Sequence, residues 1–275
     1  MKKLFSIFFL ILFCICEANA MTTISGRPAP GGVAVAGNTN YCNDANAQLC
    51  LYMNGNGTDE TDRTANGYTM TDSASSPTIS STVPSGYSGT SRVFTTSTML
   101  VCTDENCPNL NINGAGVKIS ISAWVYATTV PGSGSVWLIA GKYYSASNQR
   151  QYMIGTTGTG SSQFKFTFAL STNGTSATLV HSTTTTYAAN TWYHVVGVSD
   201  GTDLRVYVNG SLDCTPVSHT SGIFNGSEAF KVVSDHYTNG AGYIDEVGVW
   251  SRALSSTEVA DIYNNGITGN KGGSD

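Results

Sequence analysis

The stretch Gly242 to Gly266, GYIDEVGVWSRALSSTEVADIYNNG, decides the reading of the chain. Its first part, Tyr243 to Trp250, alternates in the period-two manner of a strand, which places Asp245 on the face of Val247 and Val249 and Glu246 on the other. Its second part is the one convincingly helical segment, Ser256 to Asn264. Ser255 and Glu258 form an S-x-x-E capping box, and Gly266 sits near the stop. The apolar positions Val259, Ile262 and Tyr263 fall on one stripe, so the helix is expected to dock rather than stand alone.

Working outward, the rest of the chain reads as short strands between Gly, Asn, Ser and Thr turns. Val117 to Ala127 puts Val117, Ile119, Ile121, Ala123 and Val125 on a core face, with Lys118, Ser120, Ser122, Trp124 and Tyr126 opposite. Gln163 to Leu170 aligns Phe164, Phe166, Phe168 and Leu170, and Thr191 to Ser199 aligns Trp192, His194, Val196 and Val198. Asp200-Gly201 turns into Leu204 to Asn209, whose Leu204, Val206 and Val208 face inward, and Asn209-Gly210 makes the next turn. The fold class expected from these strands is all-β, a meander of antiparallel hairpins with one short C-terminal helix.

Lys2 and Lys3, the apolar run Leu4 to Ile15 and the small residues Ala18-Asn19-Ala20 predict a signal peptide over residues 1–20, cleaved near Ala20. Bulky Phe13 and Ile15 argue against lipidation at Cys14 or Cys16. A flexible leader is expected over 21–45, one domain over 46–267 and a flexible tail over 268–275. No later run approaches the roughly 20 apolar residues of a membrane span, so no membrane insertion is expected. Losing Lys2, Lys3 and Glu17 takes the net charge from −5 to −6, a poor match for nucleic acid or anionic membrane. Low charge with abundant hydroxyls suits an extracytoplasmic β-protein, secreted, periplasmic or on the cell surface.

Five cysteines follow the predicted signal. The close pairs Cys42/Cys50 and Cys102/Cys107 most simply close two local disulfides and leave Cys214 over, although Cys214 could take a partner from either pair.

Four stretches together resemble the laminin-G-like jelly-roll module of the concanavalin A-like lectin/glucanase superfamily: LYMNGNGTDETDRTANGYT (Leu51 to Thr69), ISAWV (Ile121 to Val125), NTWYHVVGVSDGTDLRVYVNG (Asn190 to Gly210) and the opening stretch itself. The resemblance implies an all-β fold, a twisted two-sheet antiparallel jelly-roll sandwich with one short C-terminal helix, often with one structural calcium and often glycan-binding. Such a calcium would sit between Asp245 and oxygens of the turn Gly57 to Gly67, with Asp62 as its side chain. The bland alternative is that Asp245 only accepts backbone hydrogen bonds.

Laminarinase-type glycosidases of this superfamily carry E-x-D-x-x-E on one strand. Glu60-Thr61-Asp62 starts that pattern, but Ala65 stands where the last glutamate is required, and adjacent Asp245 and Glu246 would point to opposite faces. No catalytic residues are expected. For a glycan, Trp124 and Tyr126 on the less apolar strand face offer one platform, and the loop aromatics Trp137, Tyr143, Tyr144 and Tyr237 with Asp235 and His236 offer another. His194 reads as a core histidine with a satisfied nitrogen, and Lys142, Arg150 and Lys165 as solvated charges. The function expected is non-catalytic recognition of carbohydrate or a glycosylated surface. The competing classes are a structural or adhesion protein contacting another extracellular protein and, more weakly, a glycosidase.

Overall fold

The computed structural model describes residues 39–55, 59–72, 76–160, 162–234, 236–237 and 240–271. Among them the chain forms two antiparallel sheets of nine strands each and one α-helix, a jelly-roll sandwich. The first sheet runs in the order Ser211–Leu212, Asp203–Val208, Trp192–Ser199, Ile119–Thr129, Ala241–Trp250, Ser91–Phe94 and Thr78–Ser80. Ala47–Leu51 pairs beside Ala241–Trp250, and Val217–Ser218 beside Asp203–Val208. The second sheet is centred on Val136–Tyr144, Gln149–Gly160 and Gln163–Leu170.

The alternation read from the sequence selects the core. Ile119, Ile121, Ala123 and Val125 meet Phe164, Phe166, Phe168 and Leu170 between the sheets, all of them essentially inaccessible to solvent. Gly197 allows the close approach of the layers, since a Cβ there would lie 2.4 Å from the Phe168 ring and 2.9 Å from Ile154. Asn209 and Gly210 both take positive φ (49° and 78°), the backbone of a tight hairpin turn.

A second apolar cluster lies on the outer face of the first sheet. Val196, Val198, Tyr207 and Trp250 are covered there by Val259 and Ile262 of the helix Ser256–Asn265 and by Tyr41 and Cys42. The helix begins with the full capping box, Ser255 accepting from Glu258 N and Glu258 accepting from Ser255 N. Its reciprocal bonds satisfy two orphan donors of the first turn. Tyr41 and Cys42 fall within the stretch expected as a leader, yet each is only 2% exposed. Trp250 Nε1 donates to Tyr41 O (3.1 Å) and Tyr41 N donates to Ile267 O (2.9 Å), which ties both ends of the domain to one sheet face.

Disulfides join Cys42 to Cys50 and Cys102 to Cys107, and Cys214 is free.

Candidate functional site

The strand Ala241–Trp250 breaks its alternation in the middle. Asp245 pairs with Trp124 and Gly248 with Ser122, so two residues, Glu246 and Val247, oppose the single Ala123. This is a β-bulge, and Glu246 sits in it at φ 44°. Ile244 and Val247 consequently both face the inter-sheet core, and Asp245 and Glu246 both turn to the outer side, where they line one small cavity. Two expectations are overturned together. Asp245 does not share the face of Val247 and Val249, and the two carboxylates do not point apart.

The cavity holds about 10 Å³, close to what one water or a single small ion occupies. Its walls include Tyr52, Asn54, Tyr87, Ser88, Thr90 and Thr268. Asp245 Oδ1 accepts from Glu246 N (2.9 Å), and Glu246 Oε2 accepts from Ile267 N (3.0 Å). The Tyr87 hydroxyl accepts from Trp124 Nε1 (3.0 Å) and hydrogen-bonds Glu246 in turn. Asp245 is 3% exposed and Glu246 5%. Burial, then the neighbouring Glu246 and Glu60, push the Asp245 carboxyl well above its ordinary range. Burial pushes Glu246 up to about 7, against the opposing bonds from Ile267 N and Tyr87 and the charge of Lys271.

The donor set expected for calcium does not assemble as written. Asp62 is 3% exposed and already engaged by its own turn: Oδ1 accepts from Cys50 N (2.8 Å) and Thr64 N (2.9 Å), and Oδ2 from Thr64 Oγ1 (2.6 Å) and Tyr68 N (3.4 Å). It is a turn-organising carboxylate with no oxygen to spare. Gly57 lies outside the described residues. The bulge brings together a different group, two carboxylates in a cavity whose walls include the oxygen-bearing residues Asn54, Ser88, Thr90 and Thr268, and oxygen is the ligand type a hard cation takes. Among the described residues no group of three or more His, Cys, Asp or Glu is placed to hold a metal.

Next to this cavity, Trp192, Tyr126 and Tyr243 stand side by side on three neighbouring strands, with Tyr126 in register with both partners. All three are half-buried, with ring centroids 5.3 Å (Tyr126 to Tyr243) and 5.5 Å (Tyr126 to Trp192) apart. Trp192 Nε1 is itself buried and has no hydrogen-bond partner among the described residues. One step further along the strands the next row, His194, Trp124 and Asp245, is closed off. Tyr263 of the helix stacks on Trp124 (5.6 Å) and Tyr87 meets its edge (5.3 Å), leaving Trp124 6% exposed. Of the first expected platform, then, Tyr126 is half-buried and Trp124 is covered, because the helix lies over that end of the face.

The second platform also divides. Trp137 is not a loop residue: it belongs to the strand Val136–Tyr144 and is fully buried between the sheets. The remaining rings form two separate pairs: Tyr143 lies 6.0 Å from Tyr237 in the apolar cluster with Leu138 and Met153, and Tyr144, the next residue of the strand, stacks on His236 at 3.5 Å. Tyr143 is buried against Leu138 and Met153, and Asp235 lies outside the described residues. Lys142 is not solvated. It is 1% exposed, with its ammonium on Asp104 and Asn111.

His194 is buried, with Nε2 2.8 Å from Ser122 Oγ and Nδ1 without a partner among the described residues, and burial lowers its pKa to about 3. The pair has the outline of a nucleophile and base, but the Trp124 ring packs against it and no acid among the described residues orients the imidazole.

Sequence reasoning missed Trp192 and Tyr243 as partners of Tyr126, because only strand pairing makes them neighbours. It missed Glu246 although a signal was present. Ile244, Val247 and Val249 are spaced by three and then two, and a core face with that spacing requires an extra residue.

Comparison with known proteins agrees with this architecture. A family model described as the concanavalin A-like lectin/glucanases superfamily, of the laminin-G type, matches residues 103–260. No curated protein matches the chain. Among solved structures, the binding domain of paraclostridial mosquitocidal protein 1 aligns with TM-score 0.60 at 13% identity, over 82% of this chain and 55% of that one. The botulinum neurotoxin type G receptor-binding domain aligns with TM-score 0.58 at 15% identity, over 82% and 54%. The botulinum neurotoxin serotype D ligand-binding domain, solved in complex with N-acetylneuraminic acid, aligns with TM-score 0.56 at 14% identity, over 85% and 55%. The chain therefore spans about half the length of these structures, and at such identities the likeness is one of fold.

Proposed function

Because the chain belongs to the laminin-G-type family of the concanavalin A-like lectin/glucanase superfamily, we propose that it is a non-catalytic recognition module that binds carbohydrate or a glycosylated surface. The observation that carries this reading is the row Trp192, Tyr126 and Tyr243, three half-buried rings crossing adjacent strands one step beyond the row that Tyr263 of the helix and Tyr87 close off. Flat aromatic surfaces accept the C–H faces of sugars, and a rigid sheet holds them without ordering cost. The solved neighbour with N-acetylneuraminic acid supports a saccharide ligand. A neighbour solved with rat synaptotagmin II keeps a protein partner as the second reading.

The absence of catalysis rests on the cavity. Glycoside hydrolysis needs two carboxyl groups flanking a sugar, whereas Asp245 and Glu246 share a space of about 10 Å³ that admits a single water or ion. The same space favours a structural calcium held by Asp245 and Glu246, which would neutralise two buried charges and fix the bulge. Two disulfides suit an oxidising compartment, consistent with export, and among the described residues no helix is long and apolar enough to cross a membrane.

A glycan array with the purified chain tests the proposal. Saturable binding weakened about tenfold by Trp192→Ala or Tyr126→Ala, with unchanged melting, is the expected result. A blank array beside capture of a discrete protein ligand would replace the carbohydrate reading with the adhesion one.

A further inference from the structure

We infer that a second saccharide subsite lies away from the aromatic row, in an open groove of about 520 Å³ between the strand Ala47–Leu51 and the segment Pro108 to Lys118. It takes its ligand class from the carbohydrate reading above, but its residues and geometry are separate. Each wall is fastened by a disulfide. Gln48 lies inside the loop closed by Cys42 and Cys50, and Pro108 directly follows the Cys102–Cys107 bridge. The second wall is further pinned from behind, with Tyr152 Oη donating to Leu110 O (2.6 Å) and Lys142 holding Asn111 Oδ1. That anchoring gives the buried lysine a purpose.

Four amide side chains line this groove: Gln48, Asn109, Asn111 and Asn113. Their orientations are set by internal bonds. Gln48 Nε2 donates to Asn46 O (3.0 Å) and Ser251 Oγ (3.0 Å). Asn109 Nδ2 donates to Asn66 Oδ1 (2.8 Å), whose own Nδ2 donates to Gln48 O (3.1 Å). Asn113 Nδ2 donates to Asn111 O and to Asn225 Oδ1. Backbone carbonyls only accept and the Lys142 ammonium only donates, so these contacts fix which end of each amide is which. What remains is a defined pattern. Gln48 Oε1, Asn109 Oδ1 and Asn113 Oδ1 accept nothing from the described residues, and Asn111 Nδ2 donates to none of them.

Three acceptors and one amide donor, held in advance, complement a ligand dense in hydroxyl groups, which donate and accept at neighbouring positions. Three carbonyl oxygens that accept nothing from the described residues disfavour a carboxylate or phosphate, and Lys118 is the single cation among the lining residues. Ile112, Val117 and Pro108 supply apolar surface for C–H groups, and no aromatic ring lines the groove. The ligand class is accordingly a neutral oligosaccharide bound by hydrogen bonds, with an affinity of order 1 mM per site.

The test is a titration of the ¹⁵N-labelled chain with cellotetraose, laminaritetraose, mannotetraose and N-acetylchitotetraose up to about 10 mM, following side-chain amide and indole resonances. At least one of these probes is expected to shift the NH₂ pairs of Gln48, Asn109, Asn111 and Asn113 saturably. Gln48→Ala and Asn109→Ala should each weaken that response about tenfold, and Trp192→Ala should leave it intact. Amide resonances that stay still with all four sugars overturn the inference. So do shifts that vanish in Trp192→Ala yet persist in Asn109→Ala. A response confined to the Trp192 indole would refute the groove while sustaining the aromatic row; a response confined to the groove amides would do the reverse.

Discussion

Glu246→Gln in the calcium-free chain should stabilise the fold, and by an amount that depends on pH. The folded carboxyl is raised from 4.5 to about 7, chiefly by burial, so the folded state holds its proton more tightly than the unfolded one. The sign follows from linkage: below pH 4.5 both states are protonated and nothing is lost, and as pH rises through 7 the folded state bears a growing ionisation cost. At about 1.36 kcal/mol per pKa unit the cost reaches about 3 kcal/mol by pH 8. Glutamine keeps an oxygen for the Ile267 N–H and removes the charge. Weakening of that charge-assisted bond returns about 1 kcal/mol, leaving a net gain of about 2 kcal/mol at pH 8 and a small loss at pH 4. For a domain of this size the gain corresponds to roughly 4–8 °C in Tm. Urea unfolding of both proteins at pH 4 and pH 8, in excess chelator, measures it as a difference of differences that cancels the titrating groups remote from Glu246, while relief of the neighbouring Asp245 carboxyl adds to the gain in the same direction. Parallel pH dependences, or a variant less stable than the parent at pH 8, would refute the buried-carboxylate account of the bulge.

Calcium at millimolar concentration should raise the melting temperature of the parent chain at pH 8 and do so much less for Asp245→Asn; equal melting in chelator and in calcium would sink the metal. His194 stays neutral in the fold with its pKa lowered to about 3, so acid should destabilise the chain as pH falls below 6.5, by about 2 kcal/mol at pH 5. His194→Gln should remove that part of the slope, seen by denaturant unfolding across this range. Gly197→Ala should cost about 1–3 kcal/mol, since its Cβ meets the Phe168 ring at 2.4 Å, and unchanged stability would show that the layers can separate there.

How far the sequence reached depended on the range of the physics involved. The capping box Ser255/Glu258, the Asn209-Gly210 turn and the inward runs Ile119 to Val125 and Phe164 to Leu170 are local rules of backbone hydrogen bonding and side-chain period, and they alone were enough for antiparallel strands with one docked helix, while the two-sheet sandwich followed from the family resemblance. The short spacings within Cys42/Cys50 and Cys102/Cys107 likewise indicated the two bridges that the structure contains. The site was decided elsewhere. Whether Asp245 and Glu246 face one cavity depends on one extra residue in the register against Ala123, and whether Trp124 or Trp192 meets solvent depends on where the helix lies. Lys142 and Trp137 were misplaced for the same reason, because their surroundings come from segments remote in the chain, Asp104 and Asn111 for one and the packed sheets for the other. Period assigns a side chain to a face of its own strand, but only the tertiary structure determines what covers that face.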